Sequence, residues 1–170
     1  KSINIEKLED KDKSIFVYKD KYSDQIFKLK NIPKGFIINT KVSLNNFASL
    51  LESIKKVDIK QFSKNIFVNP SKLITYETFD GLIIQIKTFL NDGHTYYNFN
   101  IYSDIKVRKE LSTNEPNVVG LPKMISFDEV NSEVEKYNYL NNWIFKLHND
   151  FETDLEYSFN DLIVKEDKKN

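Results

Sequence analysis

Few residues of this chain could do acid–base chemistry, and its two histidines are the first candidates. His94 follows Asp92 and Gly93, so with Asp92 orienting its ring it could act as a general base. His148 precedes Asp150 by two residues and could join a hydrolytic pair or support the start of a helix. Neither imidazole has a nucleophile or an oxyanion arrangement beside it in the sequence. We therefore favour an exposed turn residue for His94 and a helix-start residue for His148.

Carboxylate pairs are the second candidates. Glycosidases use two carboxylates about 5–10 Å apart, and Glu77 and Asp80 flank a short turn in this sequence. Asp80 is needed by the turn itself, whereas Asp128 and Glu129 suit the first turn of a helix, where the helix dipole favours negative charge. A structural interpretation is therefore the better one for both pairs.

The composition offers few residues that could bind a metal ion or a cofactor. The chain has no cysteine and two histidines, which removes thiolate metal sites, disulfides and cysteine nucleophiles together. It holds neither a glycine-rich phosphate loop nor a nucleophile elbow. The sequence predicts no catalytic residue, no metal, no cofactor and no enzymatic activity.

A tyrosine-rich strand offers recognition by aromatic and hydrogen-bonding side chains. Successive residues of a strand point to opposite faces, and the face predicted to join the core carries Tyr97, Phe99 and Ile101. The opposite face carries the predicted ligand- or partner-contact residues Tyr96, Asn98, Asn100 and Tyr102. Such a strip can bind a glycan or a peptide, and it can equally be the wet face of an ordinary sheet.

Length and charge limit the class of protein. A chain of 170 residues forms one ordinary domain or two very small ones, and 40% hydrophobic residues argue against disorder. Basic and acidic residues number 25 each, and this balance argues against nucleic-acid binding. Arg108 is the single arginine, and lysine is a poor bidentate clamp for phosphate or carboxylate groups.

The first sixty residues have the alternation of short strands and then change period. Strands are predicted around Ile3 and Ile5 and at 14–18, 26–29 and 36–38. Four apolar residues then fall three and four positions apart, which predicts a helix over about 43–56 with the inward face Leu44, Phe47, Leu51 and Ile54.

The middle of the chain predicts an antiparallel meander with strands at about 72–79, 82–90 and 95–103. Asp80-Gly81 and Asp92-Gly93 separate these strands, and aspartate-glycine is typical of tight type I′ hairpin turns. Residues 104–124 then show no period. A loop of this length is either a surface excursion or a partner-binding loop.

The C-terminal third begins with a helix signal. Ser126 and Glu129 form a capping box ahead of an apolar face that continues to about 141, and 143–147 is extended. A second capping box, at 153–156, predicts the start of a last helix. The inward face of that helix is Leu155, Phe159 and Leu162, and a frayed polar tail follows at 166–170.

The two halves of the chain look alike, since Ile-Phe-Lys-Leu occurs at 26–29 and again at 144–147. Each copy follows a hairpin region and precedes an amphipathic helix. We predict an α+β fold of two tandem units, each a hairpin or meander plus helix, with an antiparallel sheet and about three helices. The first unit spans 1–60 and the second 61–170, and the two could share one composite domain.

Several short segments, in order, resemble the bacterial domain of unknown function 4340 family. The sequence Thr-Phe-Asp-Gly-Leu at 78–82 is similar to the hairpin of that family, and 27–35 is similar to its first-half strand and proline-glycine turn. Further similar segments are its short acidic element, its tryptophan-bearing strand and the end of its closing helix, at 57–58, 143–147 and 160–163.

The resemblance implies a periplasmic body, held to the inner membrane by an N-terminal helix preceding Lys1 and encoded beside ABC transporters of the gliding-motility auxiliary type. Our first hypothesis is therefore a non-enzymatic accessory or scaffold domain of a membrane transport complex. It would recognise a protein partner through the tyrosine-rich strand, the 104–124 loop or a free sheet edge. A glycan- or peptide-binding module is the second hypothesis, and a hydrolase using His94 or His148 is the third.

Overall fold

The computed structural model describes residues 1–8, 14–109 and 123–166. These residues form a mixed α+β fold dominated by antiparallel sheet, which confirms the predicted fold class. The strands are β1 (Ser2–Lys7), β2 (Ile15–Tyr18), β3 (Lys28–Leu29), β4 (Phe36–Ile38), β5 (Lys56–Gln61), β6 (Lys72–Glu77), β7 (Leu82–Asn91), β8 (His94–Ser103), β9 (Trp143–Leu147) and β10 (Ile163–Lys165). The helices are α1 (Leu44–Ser49), α2 (Phe127–Tyr137) and α3 (Asn149–Leu155), with 3₁₀ turns at Leu50–Ser53, Asn138–Asn142 and Phe159–Leu162.

Eight of the strands form one sheet in the order β3-β2-β1-β6-β7-β8-β9-β5. Every neighbouring pair in it is antiparallel. A separate two-stranded ribbon consists of β4 and β10. Strands from residues 1–60 therefore stand at both ends of the sheet, and the strands from 61–170 that belong to it lie between them.

The main core lies on one face of the sheet. Alternate residues of the central strands are buried there, among them Ile74, Ile86 and Tyr97. They belong to one buried cluster with Phe47 of α1, Phe151 of α3, and Leu50 and Leu162 of the 3₁₀ turns. The buried Tyr76 hydroxyl donates to the carbonyl oxygen of Phe47 at 3.0 Å, and burial raises the pKa of Tyr76. This hydrogen bond joins the sheet to α1.

A smaller core lies on the opposite face of the sheet. It consists of Phe67, Phe89, Tyr96 and Ile144, with Phe62 packed against them. Because Phe62 and Phe67 come from the segment between β5 and β6, that segment covers the outer face of β7, β8 and β9 at this point. The outer face of the sheet is therefore not uniformly exposed to solvent.

The meander is confirmed, but its two turns differ in kind. A type I′ turn needs a positive φ at both central residues, and Asp92 at 48° with Gly93 at 71° meets this requirement. At the first turn only Gly81 has a positive φ, 96°, and the Thr78 amide bonds to the Leu82 carbonyl oxygen at 3.0 Å. This is a three-residue loop that ends on a left-handed glycine, so the type I′ prediction is wrong there.

The helix predicted over 43–56 is shorter than its apolar pattern suggested. α1 ends at Ser49, a 3₁₀ turn continues to Ser53, and the chain becomes strand β5 at Lys56. All six side chains of β5 are exposed. The strand therefore lacks the buried alternation from which sequence reasoning recognises a strand.

The capping box predicted at 153–156 is wrong. Thr153 lies inside α3, where its hydroxyl donates to the carbonyl oxygen of Asn149 at 3.1 Å. The capping box of this region is formed by Ser158 and Asp161, and it begins the last 3₁₀ turn. The single last helix predicted to carry Leu155, Phe159 and Leu162 is also wrong, because α3 ends at Leu155 and the other two residues lie in the separate 3₁₀ turn. Leu155 and Leu162 are nevertheless buried, and Phe159 is half-buried.

The capping box of α2 is confirmed. Ser126 accepts from the Glu129 amide at 3.2 Å, and the Glu129 carboxylate accepts from the Ser126 amide and hydroxyl at 2.7 Å each. Val130, one residue on, is fully buried. In the described part of the chain, no helix combines the length and the apolar character needed to cross a membrane.

Three predicted segments lie wholly or mostly outside the described residues: the turn at 11–13, the loop at 104–124 and the tail at 166–170. The described ends of the loop are held by the single arginine. The guanidinium group of Arg108 donates to the carbonyl oxygens of Asp80 and Ile125, at 2.9 Å each. Its role in the structure is therefore to join both ends of the loop to the first hairpin turn.

Candidate apolar binding site

The predicted contact strip on β8 is largely internal. Tyr96 is 4% exposed, packs against Phe67 with ring centroids 5.5 Å apart, and accepts a hydrogen bond from the Lys60 ammonium at 3.1 Å. This hydrogen bond raises the pKa of Lys60. The tyrosine is therefore part of the smaller core, and the prediction that it faces solvent is wrong.

Asn98 is also buried, at 7% exposure. Its side-chain amide donates to the carbonyl oxygens of Asn141 and Trp143, at 2.9 Å and 2.8 Å. Both donor hydrogens of the amide are used in tying β8 to the start of β9. Asn100 and Tyr102 are half-buried, so the four residues do not form the exposed strip that was predicted.

The two histidines lie apart from each other in the topology. His94 is exposed at the tip of the β7–β8 hairpin, and the carboxylate of Asp92 accepts a hydrogen bond from Asn91 at 3.2 Å. His148 is exposed just before α3, where its carbonyl oxygen accepts from the Phe151 amide at 3.0 Å. This placement matches the turn and helix-start interpretations. The Asp150 side chain is not among those that the structure describes.

The Glu77 and Asp80 carboxylates have structural partners. Glu77 accepts from the Ser2 hydroxyl at 3.0 Å and pairs with the Lys1 ammonium at 3.5 Å. The Asp80 carboxylate accepts from the Thr78 hydroxyl within the hairpin turn. Within residues 1–8, 14–109 and 123–166 there is no group of three or more His, Cys, Asp or Glu side chains able to hold a metal ion.

An apolar recess with a volume of about 520 Å³ lies on the main-core face of the sheet. We call it the groove. Its floor is formed by β7, β8 and β9, with the side chains Leu82, Ile84, Phe99, Ile101, Phe145 and Leu147. One wall is Leu51 and Ile54, and the other is Glu133, Tyr137 and Leu140; Lys56 of β5 completes the lining.

The groove exists because β8 extends beyond the residues that pair with β9. The register joins β8 to β9 at Tyr97 and Phe145, and β9 begins only two residues earlier, at Trp143. Beyond that point α2 packs beside β8 instead, and the Ser103 hydroxyl donates to the Asn131 side chain at 2.7 Å. A helix cannot continue the pleated surface of a sheet, so an apolar recess remains between α2 and the 3₁₀ turn Leu50–Ser53.

Two charged residues border the groove, and both are exposed. Glu133 has a cation nearby in Lys136, whose pKa is raised by a hydrogen bond to Tyr137 and, to a smaller degree, by Glu133. Within the described residues Lys56 forms no ion pair. The rim of the groove therefore offers a cation that an anionic group could neutralise.

Sequence reasoning assigned these lining residues to a core or left them without a role. The signal that could have revealed the groove is the number of apolar residues in the two segments that form its walls, 51–54 and 137–140. Leu51 and Ile54 on one side and Tyr137 and Leu140 on the other stay half-buried, because nothing in the described structure fills the space between them.

Comparison with known proteins provides no relative to guide the assignment: no family model, no curated protein and no solved structure matches this chain. The function must therefore be argued from the groove itself.

Proposed function

We propose that this chain is a non-enzymatic binding module that holds the alkyl chain of a single-chain anionic amphiphile, such as a fatty acid, in the groove. The observation that carries the proposal is the 520 Å³ recess lined, apart from Lys56 and Glu133, by aliphatic and aromatic side chains. Neither histidine lines it, so an imidazole base of the kind considered for a hydrolase is not part of this site.

The size of the groove suits a small molecule better than a helix of a partner protein. Ligand cavities typically measure about 300–1,000 Å³ and are mostly apolar, whereas a partner helix is about 10–12 Å across with its side chains. An alkyl chain needs no hydrogen-bond partners, and each methylene buried contributes about 0.8 kcal/mol. A glycan would need several convergent polar groups, and the lining does not provide them.

The charge at the rim selects the head group. Lys56 is exposed, borders the groove and forms no ion pair within the described residues. A carboxylate at the end of the alkyl chain would meet its ammonium group, while the chain lies over Phe99 and Phe145. Because this pair would be solvent-exposed, its contribution would be small beside that of the alkyl chain.

The proposal is tested by displacing an environment-sensitive fluorophore, anilinonaphthalene sulfonate, with saturated fatty acids of increasing length. Affinity should rise roughly fourfold for each added methylene until the groove is full. Ile101→Trp, which fills the floor, should weaken binding at least tenfold. Lys56→Glu should weaken binding of the acid and leave the alcohol of equal length unchanged.

A matched control keeps this experiment specific. Ile26→Trp introduces the same bulk at a side chain that is 71% exposed and outside the groove lining, and it should bind like the wild type. Ile54→Trp provides a second filling variant, on the wall. Equal affinity in all three tryptophan variants, each shown to be folded by its thermal melt, would refute the groove as the binding site.

A second candidate function is the accessory or scaffold role in a membrane transport complex, through a protein partner. The observation that favours it is the exposed edge strand β5, since a partner's extended segment can add to such an edge. The transporter partner and the periplasmic location are supported by the sequence resemblance of short segments alone. Glycan recognition by the tyrosine-rich strand is less well supported, because Tyr96 and Asn98 are buried.

A further inference from the structure

The edge strand β5 is unusual in being long, open and partly apolar. It stands at the end of the eight-stranded sheet, paired with β9 on one side, and none of the described residues forms a strand on its other side. All six of its side chains are exposed, with Val57 at 59% and Ile59 at 42%. The opposite edge, β3, has two residues. Soluble proteins normally shorten, cover or charge such an edge, because it can pair with another chain. β5 does carry charges, but they are of both signs, at Lys56, Asp58 and Lys60.

The backbone groups that β5 offers can be read from its register with β9. The Phe62 amide bonds to the Asn142 carbonyl oxygen at 2.8 Å, next to the pair Gln61 and Trp143. Residues alternate in antiparallel ladders between bonding inward and outward. Asp58 and Lys60 therefore bond toward β9, and Ile59 and Gln61 present their amide and carbonyl groups outward.

We propose that two copies of this chain pair through β5, antiparallel, about a two-fold axis at Ile59. Ile59 of one copy then faces Ile59 of the other, and the two residues exchange both backbone hydrogen bonds. The sheet becomes continuous across the dimer.

The charges of β5 favour this register over its neighbours. An axis at Ile59 places Asp58 opposite Lys60 of the second copy, twice, in a pair whose side chains lie close together. An axis at Asp58 or at Lys60 would place identical charges opposite each other, which is destabilising. An axis at Val57 would also place Asp58 opposite a lysine, Lys56, but the register of β5 is irregular between Lys56 and Asp58. In its regular part the strand is thus complementary to itself with the axis at Ile59, as a two-fold interface requires.

The local contacts of the single chain are compatible with this exchange. The Asp58 carboxylate accepts from the Ile59 amide at 2.8 Å and lies 3.8 Å from the Lys60 ammonium. Both ionic side chains are about half exposed, at 49% and 53%. On pairing, the Ile59 amide bonds to the second copy, and the Asp58 carboxylate is released to Lys60 of that copy.

The test is a charge exchange followed by sedimentation velocity over a concentration series. The wild type should sediment as a dimer, while Asp58→Lys and Lys60→Asp alone should each weaken self-association at least tenfold. Mixing the two variants should form a heterodimer, because every facing pair is then oppositely charged. The double variant Asp58→Lys, Lys60→Asp should again form a homodimer.

The control is Asp20→Lys, which removes the exposed ion pair with Lys28 at the other edge of the sheet and should remain dimeric. Thermal melts show whether each variant is folded, since Lys60 also bonds Tyr96. A monomeric wild type would overturn the proposal. A strand of a different protein would then be the remaining candidate partner of β5. Unchanged dimerisation in both single variants, or no association on mixing them, would overturn it as well.

Discussion

Asn98 shows how one side chain decides between a contact surface and an interior. From its position on a strand rich in tyrosine and asparagine it was predicted to face a ligand, and alternation correctly grouped it with Tyr96. Alternation gives the face of a residue but not what covers that face. The covering elements, the segment with Phe62 and Phe67 and the 3₁₀ turn Asn138–Asn142, contact β8 from distant parts of the sequence.

The structural role of Asn98 predicts a stability change. Asn98→Ala should lower the free energy of unfolding by about 1–3 kcal/mol, because it leaves the carbonyl oxygens of Asn141 and Trp143 without their donor. Asn100→Ala, at the half-buried neighbouring position on the same face, should change it by about 0.5 kcal/mol or less. Urea denaturation monitored by the fluorescence of Trp143 measures both. Equal losses in the two variants would contradict the role given to Asn98.

At the scale of elements, the start of a helix could be predicted from a capping box only where the sequence held a single candidate box. Ser126 and Glu129 were correctly predicted to begin α2. In the region of α3 two such signals stand close together, at 153–156 and 158–161, and the helix ends where the first one was predicted to begin it. Which of the two signals begins a helical turn depends on how Phe151 and Leu155 pack in the core. A local sequence pattern does not carry that information.

The α2 capping box predicts a pH dependence of stability. Hydrogen bonds from the Ser126 hydroxyl and amide lower the pKa of Glu129. A carboxyl group whose pKa is lower in the folded state stabilises the fold above its unfolded pKa, about 4.3, and loses that contribution as the pH falls through the lower folded value. The stability difference between wild type and Glu129→Gln should therefore be present at pH 7 and shrink below about pH 4.

Urea denaturation at several pH values provides the measurement for this prediction. Ser126→Ala, which removes the hydroxyl partner, should show the same loss of difference from wild type on acidification. A wild-type advantage over Glu129→Gln that stays constant from pH 7 to pH 3 would show that the capping carboxylate does not contribute through its charge.

β5 is one of the elements that sequence reasoning missed, and the reason is physical. Strands are recognised by burial on one face, and every side chain of β5 is exposed. Val57 and Ile59 do alternate with charged residues, so the pattern was present without the burial that usually produces it. The proposed pairing of two copies would place Ile59 beside Ile59 of the second copy and so cover part of its side chain.

At the scale of the whole molecule, the α+β class and the meander followed from turn chemistry and alternation, whereas the sheet order did not. Residues 1–60 provide strands at both ends of the sheet, an arrangement set by long-range pairing. The groove follows from that order, since it lies where the pairing of β8 with β9 ends and α2 packs beside β8 instead. Its lining comes from the 3₁₀ turn Leu50–Ser53, the central strands and the α2 region together, so no single segment could reveal it.

The most direct measurement of the central claim is isotope-filtered NMR on the protein with a ¹³C-labelled medium-chain fatty acid. The account predicts nuclear Overhauser contacts from the alkyl methylenes to the rings of Phe99, Phe145 and Tyr137, with the chain end bearing the carboxylate nearest Lys56. Contacts confined to residues outside the groove, or no bound state at millimolar fatty acid, would contradict it.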